Sequence, residues 1–311
     1  MFVFEREQYI HTIGGVRIGG VPGETPTVLA GTIFYSGDKT VTDSKRGAFD
    51  KKAAEDLIHR QDEQSALTGN PCMVQVFAES TPAMLGYLGF VADMSSAPIL
   101  IDSTEAAVRL AGLRYAEESG FLDRAIYNSL NISATQDELN MLAELRPTSA
   151  IVLAFNPRDS TIAGRRAVLE QPQLGRAGGL LATANELGIS KPLIDTATTA
   201  MGAGAGSSVS FVMVAKTVYG QPTGSGIHNA PASWAWLRKL KKTNRAAYEA
   251  CDISSGLLIQ SMGANFILYG PIANSDRVFP VIAMADVFAA ESLRDEFGVE
   301  PAENHPFHKL L

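Results

Sequence analysis

One unit recurs along this chain and limits what it can fold into: a short apolar run, a polar residue at its end, then an amphipathic helix. Residues 98–120, PILIDSTEAAVRLAGLRYAEESG, show it whole. Pro98 opens the run Ile99 to Ile101, Asp102 closes it, and Ser103 or Thr104 stands where a helix cap is expected. Val108, Ala111, Gly112 and Tyr115 then recur at helical spacing, and Gly120 supplies a stop. In a β/α unit of this kind, the polar residue at the strand tip faces the mouth of the fold. The unit returns with Asn128, Asp195 and Asn229 at its tip.

Eight such strands are predicted: 27–35, 72–80, 99–104, 125–131, 150–157, 192–198, 223–231 and 265–272. Helices fall between them, with two helical pieces in 158–190 separated by QPQLGRAGG. Regular β/α alternation over 311 residues predicts a single-domain (β/α)8 TIM barrel spanning 1–311. Residues 1–20 read as a β-hairpin turning at Gly14-Gly15, placed across the closed bottom. The rival is a doubly wound open sheet, which wants a glycine fingerprint after an early strand. The one glycine-rich loop, MGAGAGSS at 201–208, lacks the third glycine and the acid that should follow.

Composition narrows the function. A net charge of −7 argues against nucleic acid or an anionic membrane as partner. No apolar run approaches the ~20 residues that span a bilayer. MFVFEREQ becomes charged at Glu5, too soon for a signal peptide. Cys72 and Cys251 are the only cysteines, so neither a disulfide framework nor a metal set is expected. The expectation is a soluble cytoplasmic protein without bound metal.

Strand side chains alternate, so Asp102 shares a face with Leu100, Asn128 with Ile126, and Asp195 with Leu193. With Asn156, Asn229 and Glu79 also at strand ends, the mouth is rich in carboxylates and carboxamides. No lysine or arginine occupies a strand tip, which disfavours Schiff-base chemistry. Such a set suits a neutral, planar, amide-rich heterocycle like the aminopyrimidinone edge of a reduced pterin. Blander readings stand beside this one. Asp102 caps its own helix; Asp195 is merely a buried, hydrogen-bonded carboxylate. Asn128 and Asn156 satisfy loop backbone; Glu79 pairs with a neighbour. His228 is structural, MGAGAGSS packs on the rim, and RKLKKTNR (238–245) is a solvated face or a dock for an acidic partner.

The strings IGGVRIGGVPGETPTVLAGTIFY, TGNPC, PILIDST, RAIYNSLN, AIVLAFNP, KPLIDTA, GAGAG and GSGIHNAPASW, spread over residues 13–236, carry a family resemblance. As a set they resemble the H subunit of tetrahydromethanopterin S-methyltransferase and its soluble bacterial relatives, the methylcobalamin:tetrahydrofolate methyltransferases of glycine betaine demethylation. The resemblance implies that Asp102, Asn128 and Asp195 hold the pterin and that Asn229 reaches its N5. It implies methyl transfer between a corrinoid and N5 of tetrahydrofolate. No D-x-H-x-x-G string is present, so methylcobalamin is expected in trans on a corrinoid protein. Arg158, Arg165, Arg166 and Arg176 are candidates for the folate tail, and a homodimer is expected. The alternatives are a tetrahydromethanopterin-specific enzyme and a non-catalytic pterin-binding subunit of a larger complex. A dihydropteroate-synthase-like reaction would want cations in GSGIHNAP, which has none.

Overall fold

The computed structural model describes residues 3–311, so the first two residues of the expected 1–20 hairpin segment lie outside it. Gly14 and Gly15, both at positive φ, turn the chain between β1 (Ile10–Ile13) and β2 (Val16–Gly19). The barrel strands are β3 (Val28–Ile33), β6 (Cys72–Phe77), β7 (Ile99–Asp102), β8 (Ala125–Leu130), β9 (Ser149–Leu153), β10 (Lys191–Asp195), β11 (Thr223–Ser225) and β12 (Phe266–Pro271). All eight are parallel and hydrogen-bond in chain order, and β12 closes on β3. Between β3 and β6 lie a small hairpin, β4 (Val41–Asp43) with β5 (Ala48–Phe49), and α1 (Lys51–Thr68). The next helices are α2 (Thr81–Met94), α3 (Ala106–Glu118), α4 (Gln136–Leu145), α5 (Ile162–Glu170), α6 (Leu180–Glu186) and α7 (Ala205–Tyr219). α8 (Asn229–Ser233), α9 (Ala235–Leu240) and α10 (Arg245–Ser261) follow β11, and α11 (Ser275–Phe297) and α12 (Pro306–Leu310) end the chain.

Two apolar layers hold this arrangement. Inside the barrel, Val28, Ala30, Met73, Leu100, Ile126, Ile151, Leu193, Phe266 and Leu268 pack on one another. Ile13 and Ile18 of the N-terminal hairpin join that cluster, fully buried, and so plug the end where the strands begin. The second layer lies between strands and helices. There, a Cβ on Gly112 of α3 would come within 2.9 Å of both Ile101 and Met84, so the helix needs glycine to sit this close.

The bottom is also clasped by polar groups. The buried Asp286 of α11 accepts from the Thr27 N–H (2.8 Å), Thr27 Oγ1 (2.7 Å), Asn70 Nδ2 (2.6 Å) and Gln260 Nε2 (3.0 Å). Those donors precede β3, β6 and β12, so one carboxylate ties the first, second and eighth barrel strands.

Three expectations need correction. The seventh strand ends at Ser225 rather than near residue 231, because Asn229 N–H turns back to Gly226 O (3.2 Å) and opens α8. The fifth strand stops at Leu153 and the second at Phe77, leaving Asn156 and Glu79 in loops where strand alternation does not govern direction. Neither Ser103 nor Thr104 caps α3. Ser103 Oγ accepts the Glu105 N–H (3.2 Å), and Glu105 occupies the cap position without a side-chain bond.

Candidate active site at the barrel mouth

The inward faces carry their polar residues to one end. Asp102 pairs in register with Asn128, and Leu100, one inward step below, pairs with Gln75 and Ile126. Thr32 Oγ1 donates to Gln75 Oε1 (2.8 Å), and Gln75 Nε2 donates to Asp102 Oδ2 (2.7 Å). These bonds run over three neighbouring strands and fix one carboxylate oxygen of Asp102. They decide the blander reading of Asp102, which does not cap its helix. Burial raises its carboxyl to about 6, against the Gln75 bond and the Arg109 charge. Arg109 lies behind it. Its guanidinium donates to Ser103 O (2.7 Å), Tyr127 Oη (3.1 Å) and Glu138 Oε1 (3.0 Å), while Tyr127 donates to the same Glu138 oxygen (2.5 Å). All three side chains are buried.

Asp195 stands across the mouth on β10. The Ala197 N–H (2.7 Å) and Ser225 Oγ (3.0 Å) both donate to its Oδ1. Ala197 adopts φ 56, the left-handed region, as it bends that N–H back. Burial raises this carboxyl to about 6 as well, opposed by the Ala197 and Gly226 backbone, the Ser225 hydroxyl and the Arg165 charge. Two carboxylates thus stand at the C-terminal ends of barrel strands β7 and β10, each with acceptor capacity left over. A ligand that brings N–H groups would complete them; an anion would not.

The remaining candidates divide. Asn128 sits beside Asp102, half-buried, with no side-chain hydrogen bond among the described residues, and the Asn128–Ser129 peptide is cis. Asn229 is exposed at the start of α8 and lines a cleft that opens off the mouth at Thr32. Asn156 is committed to its own loop, accepting from the Arg158 and Asp159 N–H groups (3.0 and 3.2 Å) and donating to Gly164 O (3.1 Å). Glu79, exposed, accepts from Ser44 Oγ (2.8 Å). His228 lines the same cleft as Asn229, with Nδ1 3.0 Å from Leu268 O and the ring against Gly270. In the glycine-rich loop, a Cβ on Gly204 would meet Ser160 at 2.6 Å, as close loop packing requires.

Three of the four arginines expected to hold a folate tail are engaged elsewhere. Arg165 is buried, donating to Thr196 O (2.8 Å), Ala197 O (3.2 Å) and Ser160 O. Arg166 pairs with Glu170 (2.9 Å) and Arg176 with Glu186. Arg158 is exposed.

Gln75, Thr32, Ser225 and Arg109 were not expected at the mouth. Gln75 had a signal: it is the polar residue inside the otherwise apolar CMVQVF, in phase with Met73. Thr32 stands likewise in phase with Ala30. Arg109 had none, since an arginine on an amphipathic helix reads as solvent-facing.

Among the described residues no group of three or more His, Cys, Asp or Glu is placed to hold a metal, and no helix is long and apolar enough to cross a membrane. Solved structures of similar shape are dihydropteroate synthases. One from Xanthomonas albilineans matches with a TM-score of 0.56 and 15% identity over 88% of this chain and 96% of that one. One from Yersinia pestis matches with a TM-score of 0.58 and 10% identity over 89% and 98%. At these identities the likeness shows the barrel fold alone. Sequence relatives are nearer. The H subunit of tetrahydromethanopterin S-methyltransferase from Methanothermobacter thermautotrophicus is 49% identical over 311 residues, covering 100% of both chains. Its namesake from Methanocaldococcus jannaschii is 44% identical over 320 residues, again with 100% of both covered. The profile described as Tetrahydromethanopterin S-methyltransferase MtrH subunit matches residues 6–302. With relatives this similar over their whole length and a profile covering nearly the whole barrel, the chain belongs to the MtrH family of tetrahydromethanopterin S-methyltransferase subunits and is a methyltransferase of that type.

Proposed function

We propose that this chain binds a reduced pterin in the barrel mouth and serves methyl transfer between the pterin N5 and a corrinoid carried by a partner protein, with tetrahydromethanopterin as the pterin. The observation that carries the reading is the pair of carboxylates at the mouth end of the barrel: Asp102 at the end of β7, half-buried and held through Gln75 and Thr32, and Asp195 at the end of β10, buried and held by Ala197 and Ser225. Each offers acceptors to an aminopyrimidinone edge, which presents amino and ring N–H donors in one plane. Asn128 adds a carboxamide beside Asp102.

Tetrahydrofolate, the pterin first expected, gives way to tetrahydromethanopterin. The relatives at 44–49% identity carry the latter in their names. The arginines meant for a folate glutamate are largely engaged by backbone carbonyls and surface carboxylates. The corrinoid, when docked, supplies the cobalt centre that exchanges the methyl group. His228, beside Asn229 in the lining of the cleft, has its Nδ1 committed to Leu268 O. The chain's own work is alignment: the two carboxylates fix the pterin plane, and Asn229, at the mouth's edge, donates or accepts at N5 as its charge changes. A homodimer remains the expected state of the free chain; sedimentation as a monomer would remove it.

Calorimetric titration with each pterin tests the assignment. Tighter binding of tetrahydromethanopterin is expected, and tighter binding of tetrahydrofolate would overturn it. Methyl transfer from free methylcobalamin by the isolated chain would separate a catalytic subunit from one that only binds pterin.

A further inference from the structure

The cleft that opens off the mouth at Thr32 and Asn229 has a volume of about 610 Å³ and runs between the loop after β3, helices α8 and α10, and the start of α11. Its charge is opposite to that of the molecule. Lys39, Lys241, Arg245 and Arg277 line it against only Glu249 and Asp252, on a chain whose net charge is −7. Glu249 is shared by two of the cations, 2.7 Å from Arg245 and 3.2 Å from Arg277. Lys241 lies over the Tyr248 ring, its Nζ 4.4 Å from the centroid, and makes no ion pair among the described residues; nor does exposed Lys39. Asp252 has a buried Oδ1 without a hydrogen-bond partner, and burial raises its carboxyl. So the wall holds more positive charge than it neutralises, and one acceptor that lacks a donor.

We propose that this cleft is the subsite for the anionic tail of the pterin, with a carboxylate or phosphate group on the tail bound by Lys241, Arg277 and Lys39. The inference rests on the pterin reading above and extends it outward. Thr32 belongs to both places: its hydroxyl starts the hydrogen-bond relay that holds Asp102, and its side chain lines the cleft. Asn229 lines the same cleft. A pterin whose edge is fixed at Asp102 and Asp195 must send its substituent out of the mouth, and this is the cavity on that path. An anion there gains charge-assisted hydrogen bonds from a lysine held by an aromatic face and from the remaining N–H groups of an arginine fixed by Glu249, Asp276 and Asn274, both positioned before the ligand arrives. A hydroxyl on the tail would give Asp252 the donor it lacks. Part of the basic run 238–245 thereby acquires a role: all five of its cations are exposed, and Lys241 and Arg245 are the two that line the cleft.

Calorimetry with tetrahydromethanopterin and with tail-less 6-methyltetrahydropterin tests this. Wild-type protein should bind the full ligand about tenfold or more tightly than the tail-less one, the scale of one charge-assisted contact. Lys241→Ala/Arg277→Ala should erase most of that difference and leave the tail-less affinity unchanged. Lys39→Ala, at an exposed position, should show a smaller loss of the same kind and keeps the test available if the double variant does not fold. Competition by inorganic phosphate or by glutarate would tell which anion the site prefers. Full-length affinity unchanged in both variants overturns the proposal. So does a loss confined to transfer with the corrinoid protein, which would make the cleft a docking surface. Failure of wild-type protein to bind either pterin would instead remove the pterin reading itself.

Discussion

Replacing Asp195 by Asn should push binding and stability in opposite directions. Its carboxyl is raised from the usual 3.8 to about 6 by burial, so the folded state holds its proton over a range where the unfolded chain releases it. The stability this confers is complete below pH ~4 and is lost as pH rises through ~6. Above that the carboxylate costs the free fold roughly 3 kcal/mol, taking ~1.4 kcal/mol per pH unit of displacement. Asp195→Asn should therefore raise the thermal midpoint at pH 7.5 and leave it little changed at pH 4, which scanning calorimetry at both pH values would check. The same substitution, like Asp102→Asn, should weaken pterin binding about 10- to 150-fold at pH 7.5. Wild-type affinity should itself fall as pH drops below ~6, where both carboxyls take up protons. Asn229→Ala belongs to a different class: its loss should lower single-turnover methyl transfer by about 10²–10³ with little change in pterin affinity. A variant with normal turnover would reduce Asn229 to shaping its loop. These residues were legible because each closes or follows an apolar run. Gln75 was passed over despite its polarity within an apolar run, because it lies inside its strand rather than at the tip, and its role depends on a neighbour 43 positions away from it in sequence, Thr32.

At the scale of elements, the clasp around Asp286 joins segments that no local pattern connects. Asp286→Ala leaves four neutral donors facing an emptied, buried space, and should be destabilising by about 1–3 kcal/mol for each donor left unsatisfied. Urea denaturation would measure it, while pterin affinity of the folded fraction should stay at the wild-type value because the clasp is at the far end of the barrel. Ile18→Ala, which empties part of the plug, should cost about 2–5 kcal/mol. The plug was foreseeable from Gly14-Gly15 between two alternating runs. The β4–β5 hairpin was not: strands of three and two residues are too short to show a period. The seventh strand was read too long although GSGIHNAP holds the strand-disfavoured Gly226, Asn229 and Pro231; the turn that ends it, with the Gly226 carbonyl accepting from the Asn229 N–H, was overlooked.

Across the whole molecule, β/α periodicity made the barrel legible: eight apolar runs at regular intervals leave few other ways to bury every strand on both faces. The pterin and its tail were less so, because they depend on where long cationic side chains come to rest. The plugged floor has a consequence for traffic. Ile13 and Ile18 fill the end where the strands begin, so the mouth is the one doorway the barrel axis offers. On the proposed reaction, the pterin must pass through it before the methyl-carrying partner settles over it, and cannot leave until that partner lifts away. Initial-rate measurements should accordingly give compulsory-order patterns, with pterin first on and last off. A random-order pattern would mean that the partner leaves a gap at the rim wide enough for the pterin to pass.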